Sequence, residues 1–189
     1  LHVAAWKPFL WGKGSMKMAP RNGGSVFATC FATLGPIGKC PIAPGTVGTL
    51  VGFAAYVFLT LVFQFTDFFY WIACGALPLL AIPLCHSAEK HLEREDAPEI
   101  ILDEFTAVPI CFAGTMTPSV MIHLDASEIS IWALVAFLSF RVFDIAKPFG
   151  IRASQRLPNG WGVVVDDVLA ALFVALCLNV SWRWMGLAP

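Results

Sequence analysis

Long uncharged stretches alternate with short charged ones along this chain. No charged residue occurs from Cys40 to Thr66. Within that stretch Val47–Phe65 gives about 28 Å of helix, enough to cross a hydrocarbon core. Asp67 is a break, and Phe68–Cys85 is a second uncharged span, with Pro78 and Pro83 placed to kink it. His86–Glu99 is the most charged stretch. Glu89/Glu93 and Lys90/Arg94 stand four apart there, which predicts a short solvated helix. Phe105–Ile122 is a third span, Ile129–Phe140 begins a fourth, and Val168–Trp182 is a fifth that ends on the interfacial pair Trp182 and Trp184. The pattern predicts an all-α polytopic membrane helix bundle of about five spans over residues 25–189, preceded by a basic flexible tail over residues 1–24.

Two of these spans look short if they end at the nearest charge. Ile129–Phe140 would reach only about 18 Å of the ~30 Å required. Extending the helix to Lys147 restores the length, and Pro148 then stops it. The extension places Arg141 and Asp144 within the inner leaflet, three apart and so on one face. The last span behaves likewise, because Asp166 and Asp167 lie between Val163-Val164-Val165 and Val168-Leu169-Ala170. Asp103-Glu104 repeats the pattern between Ile100-Ile101-Leu102 and Phe105.

Composition agrees. The chain is 58% apolar and only 13% charged, against roughly a quarter charged in ordinary soluble domains. That excludes a disordered chain and argues against a nucleic-acid binder, and the net charge of −1 implies no polyanionic partner. Charge distribution says more than the sum. With five spans alternating across a bilayer, all the lysines and arginines except Arg183 fall on one side. The positive-inside rule makes that side cytosolic, with the N-terminus in and the C-terminus out. Lys7, Lys13, Lys17 and Arg21 make the first segment basic, and it lacks the continuous apolar core of a signal peptide.

The six cysteines form no C-x-x-C pair and no zinc-spaced cluster, so they read as small hydrophobes. Cys177 and Arg183 have the C-x5-R spacing of cysteine-dependent phosphatases. No glycine lies between them to build a phosphate-cradling loop, and the segment reads as the end of a membrane helix. The histidines at 2, 86, 91 and 123 read as surface residues.

The three carboxylate clusters all fall at the cytosolic ends of their spans. Ionisable groups in membrane helices are expensive and mark functional sites. Adjacent carboxylates repel each other, and a hard cation such as Mg2+, which takes oxygen ligands, relieves that repulsion. Two glycine turns fit the same site. Gly45 and Thr46 precede the first span, Thr46 in an N-cap position, where free backbone N–H groups suit a phosphate. Gly160 and Gly162 precede the helix carrying Asp166 and Asp167.

Four segments together resemble the phosphatidylglycerophosphatase A family of bacterial inner-membrane lipid phosphatases. They are PIAPGTVGTL (41–50), DEF (103–105), FRVFDIAKP (140–148) and GWGVVVDDVLA (160–170). The resemblance implies Mg2+-dependent hydrolysis of phosphatidylglycerophosphate to phosphatidylglycerol and phosphate at the cytosolic face. On that reading Asp103, Glu104, Asp144, Asp166 and Asp167 are the catalytic and metal-ligating residues. Arg141, Lys147, Thr46, Gly45, Gly160 and Gly162 would bind phosphate. The chain departs from the family pattern at Ala107, Gly150, Asn159 and Ala171, beside the polar residues and never at them. Three alternatives stay open: a related lipid phosphate as substrate, Asp166 as the nucleophile of an aspartyl-phosphate, and a cation transporter using the same carboxylates. Oligomeric state is not legible.

Overall fold

A computed structural model describes residues 23–148 and 150–186, so the tail expected over residues 1–24 lies, up to residue 22, outside the described residues. The described residues form helices and turns without a strand: α1 (Gly23–Ala32), α2 (Pro44–Phe63), α3 (Asp67–Leu92), α4 (Leu102–Cys111), α5 (Pro118–Met121), α6 (Ala126–Ala146), α7 (Ile151–Ser154) and α8 (Trp161–Trp184). A 3-10 turn over Ile37–Lys39 joins α1 to α2.

Four of the expected spans are continuous helices. α2, α3, α6 and α8 are each long and apolar enough to cross a membrane. Their ends follow from local chemistry. Pro44 opens α2 at a position where its missing N–H costs nothing, and Ala43 is the N-cap, so Thr46 sits inside the first turn and not at the cap. α6 opens on a capping box. Asp125 accepts from the Glu128 backbone N–H, and the Glu128 side chain accepts from the Asp125 N–H. The Asp125 carboxyl is held below its ordinary pKa by hydrogen bonds from the Ser127 hydroxyl and the Glu128 N–H. α6 ends at Ala146, capped by Lys147 in the left-handed region, with Pro148 next. α8 begins well before Val168, so Asp166 and Asp167 lie in its second turn. The short helix expected over His86–Glu99 is instead the end of α3, which runs through Pro78 and Pro83 and closes where Glu93 takes φ +52°. Each proline removes only one ladder bond, a loss that membrane helices tolerate.

The third expected span, Phe105–Ile122, is broken. α4 ends at Cys111, a turn through Gly114 (φ +84°) follows, and the single turn α5 completes the passage. Non-helical backbone at membrane depth must find partners inside the protein. Here side chains supply them. The Tyr56 hydroxyl donates to Met116 O at 2.7 Å, and Asn179 Nδ2 donates to Ala113 O at 2.6 Å. Tyr70 donates to Pro109 O at 2.8 Å. The segment still passes from one end of the bundle to the other. Its Glu104 stands against Gly45 at the start of α2, and its Ser119 bonds Asp67 at the start of α3. Four unbroken crossings and one broken one therefore alternate in direction.

α4 and α8 form the centre of the bundle. Ala107, Ala170, Ala171 and Val174 are fully buried there, small enough for close backbone approach. Beside this seam Tyr56 stacks on Phe112, and Phe53 meets Phe112 edge to face. The outward faces of α2, α3, α6 and α8 expose Phe58, Leu79, Leu80, Leu134, Leu138, Leu172 and Leu176, a lipid-facing surface.

Candidate active site

The acidic side chains anticipated from separate segments meet at one end of the bundle. α4 brings Asp103 and Glu104 in its first turn, α6 brings Arg141 and Asp144 near its end, and α8 brings Asp166 and Asp167. With Gly45 and Lys147 they line one cavity of about 220 Å3, to which Asp96, Ala97 and Pro98 also contribute.

Two cations organise the cavity. Arg141 Nη1 lies 3.0 Å from Glu104 Oε1 and 2.8 Å from Asp144 Oδ2. The same nitrogen donates to Thr49 Oγ1 at 3.2 Å. Thr49 is fully buried and stands 3.2 Å from Glu104 Oε2 and 2.9 Å from Gly45 O, so α2, α4 and α6 are tied at one point. Lys147 Nζ bonds Asp166 Oδ2 and lies 3.9 Å from Asp144 Oδ1. Burial works against the Lys147 charge. The bond to Asp166 and the charges of Asp166, Asp167 and Asp144 outweigh it and raise its pKa.

The carboxylates are not all neutralised by these cations. Asp103, Asp166 and Asp167 are buried, and Oδ1 of Asp103 and of Asp166 has no hydrogen-bond partner, nor has Arg141 Nε. Buried polar atoms without partners are costly and rare in folded proteins. Among the described residues, no three acidic, histidine or cysteine side chains already enclose a metal position. The donor set is nonetheless all oxygen, as a hard divalent cation requires, and it includes two orphaned carboxylate oxygens. The residues present fit Mg2+ in kind.

Glycine matters at one point of this cavity. A Cβ on Gly45 would stand 2.2 Å from Glu104 Oε1, so only glycine lets that carboxylate press against the start of α2. Gly160 and Gly162 serve differently. They line the adjoining surface groove with His86, and a Cβ on Gly160 would meet Ile82 O at 2.6 Å. Their bare backbones let the start of α8 pack on α3 and on the 155–157 turn. Thr46 does not line the cavity, whereas Thr49, one turn further on, holds its hydrogen bonds together. The sequence pattern gave no hint of Asp96, which reaches the cavity from the turn after α3.

A bundle of helices long and apolar enough to cross a membrane, with a carboxylate and cation cluster at one end, defines a polytopic membrane protein with a polar site. The sequence profile of the phosphatidylglycerophosphatase A family matches residues 30–182. The chain belongs to that family, and it is a phosphatase. It is 35% identical to the phosphatidylglycerophosphatase A of Haemophilus influenzae over 76% of this chain and 81% of that protein. It is 31% identical to a Bacteroides thetaiotaomicron protein named "Putative phosphatidylinositol-3-phosphatase", over 78% and 88% of the two chains. It is 28% identical to the Escherichia coli phosphatidylglycerophosphatase A, over 73% of each. No solved structure matches the chain.

Proposed function

We propose that this protein removes the terminal phosphate of phosphatidylglycerophosphate, giving phosphatidylglycerol and inorganic phosphate, with Mg2+ as cofactor. The observation that carries the reading is the convergence of Asp103, Glu104, Asp144, Asp166 and Asp167 with Arg141 and Lys147 on one cavity at the membrane boundary. A phosphate monoester needs that combination: cations for its equatorial oxygens and carboxylates for a metal and a proton.

Asp103, Glu104, Asp144, Asp166 and Asp167 would hold the Mg2+, which when bound offsets phosphate charge and makes water more acidic. Arg141 presents a planar donor set to the phosphate and is fixed in place by Glu104, Asp144 and Thr49. Lys147 adds a point charge on the other side of Asp144. The N–H groups of Gly45 and Thr46 have no partner within α2 and face the same end. One water oxygen bonds phosphorus in line as the bond to the glycerol oxygen breaks. A carboxylate of the cluster takes the water proton, and the leaving alkoxide regains one. The water is the nucleophile in this reading, and 18O from solvent appears in the phosphate released by a single turnover. A carboxylate nucleophile would instead pass through an aspartyl-phosphate, trapped by hydroxylamine when a turnover is quenched early.

The inner membrane of a bacterium, with the site on the cytosolic side, is the matching location. Supporting it, Lys39, Lys90, Arg94, Arg141, Lys147, Arg152 and Arg156 lie on the site side of the bundle and Arg183 at the far end. The name of the Bacteroides relative favours a second substrate, phosphatidylinositol 3-phosphate. Phosphate release from phosphatidylglycerophosphate, phosphatidylinositol 3-phosphate and phosphatidate, with and without Mg2+, tests the choice. Preference for phosphatidylglycerophosphate supports the proposal; release from another lipid alone overturns it.

A further inference from the structure

α2 and α3 are neighbours in sequence, joined by Gln64-Phe65-Thr66, yet their backbones stay apart, with Tyr56 and Tyr70 in ring contact between them. Both pack instead on α4, which lies behind them. The result is a cleft of about 150 Å3 between α2 and α3, floored by Phe105 and Pro109 of α4. Its walls are almost wholly apolar and include Gly52, Ala55, Ala73 and Leu77. Leu59, Phe65 and Phe69 stand at its mouth, exposed on the lipid-facing surface.

One end of the cleft lies about one helical turn from the acidic cavity. Gly52 lies three residues beyond Thr49, on the same face of α2, and Phe105 directly follows Glu104. From Gly52 to Thr60 the cleft follows α2 for about 12 Å away from the polar end. A bilayer lipid has the matching design, with a charged head at the membrane boundary and an alkyl chain running inward from it.

We infer that the cleft between α2 and α3 holds one acyl chain of a lipid phosphomonoester, which reaches the carboxylate cavity sideways from the bilayer. The inference rests on the proposed function for its head group. The tyrosine hydroxyls beside the cleft are taken up by Met116 O and Pro109 O, which leaves little polar surface for a sugar or peptide.

A phosphatidylglycerophosphate carrying a diazirine in one acyl chain tests this directly. The wild-type protein in phosphatidylcholine vesicles is photolysed with divalent ions chelated, and the labelled residues are mapped. Label at Ala55–Leu59 and Phe69–Ala73 should exceed label at Leu134 and Leu138 about tenfold. Equal label on α6, or equal cleft label from diazirine-phosphatidylcholine, overturns the inference, because bulk lipid then fills the cleft. As a second readout, Ala55→Phe and Ala73→Phe narrow the cleft, with Leu134→Phe as control. The ratio of kcat/KM for a long-chain substrate to that for its dibutyryl analogue should fall about tenfold in the first two only. An unchanged ratio overturns the inference. If the wild-type protein releases no phosphate from any lipid, the phosphatase reading fails, while the photolabel still decides the cleft.

Discussion

Arg141 and Glu104 meet at 3.0 Å between the end of α6 and the start of α4, and the same guanidinium nitrogen reaches Thr49 on α2. One cation thus fixes three crossings at the polar end of the bundle. Arg141→Ala removes the proposed phosphate donor together with the partner of two half-buried carboxylates. Turnover should fall about 100-fold or more. Arg141→Lys should recover little of it, because an ammonium cannot reproduce a planar fork. Full activity in Arg141→Lys would show that only the charge matters.

Gly45 and Gly160 should respond to alanine in opposite ways. The Cβ of Gly45→Ala falls 2.2 Å from Glu104 Oε1, so the carboxylate must move while the packing around it stays. Turnover should drop about tenfold with little change in Tm. Gly160→Ala must adopt φ +77° and also press on Ile82 O. That should cost about 2 kcal/mol of stability, read as a lower Tm, with residual activity in the folded fraction.

The capping box of α6 gives a pH-dependent stability with a defined sign. The folded Asp125 carboxyl has a lowered pKa, so its contribution is present above its ordinary value of 3.8 and is lost as pH falls through the lowered one. Asp125→Ala should lower Tm at neutral pH, and the gap from the wild type should close in strong acid. A gap that is constant with pH would mean that the charge of Asp125 contributes nothing to the cap.

Topology is open to labelling. In single-cysteine variants of intact cells, a membrane-impermeant maleimide should label His123→Cys, in the turn before α6, and spare Cys40 on the site side. The reverse result would place the carboxylate cavity on the outer face.

Much of the site was legible because charge inside an apolar run is conspicuous. Asp103-Glu104, Arg141, Asp144 and Asp166-Asp167 each interrupt a span, and the structure brings all of them to one cavity. Thr49 was harder to rank, because a threonine at this depth equally well bonds its own helix, and it does bond Gly45 O. The break after Cys111 was hidden because Phe105–Ile122 is uniformly uncharged. Its backbone is satisfied by Tyr56, Tyr70 and Asn179, residues remote in sequence that no local pattern connects to it. Asp96 lies in the charged turn after α3, where one carboxylate among many carries no distinguishing mark. Asn159, where the family pattern has glycine, takes φ +62°, a conformation asparagine accepts more readily than most residues.

The central claim is that these carboxylates and cations act together on a lipid phosphate. Phosphate release from phosphatidylglycerophosphate tests it most directly, measured with Mg2+ and with chelator for the wild type, Asp103→Asn, Asp144→Asn, Asp166→Asn and Asp167→Asn, each checked for membrane insertion. Wild-type protein should release phosphate with Mg2+ alone, and each inserted variant should lose at least 100-fold of that rate. Near-normal release in two or more of the variants, or release undiminished by the chelator, would contradict it.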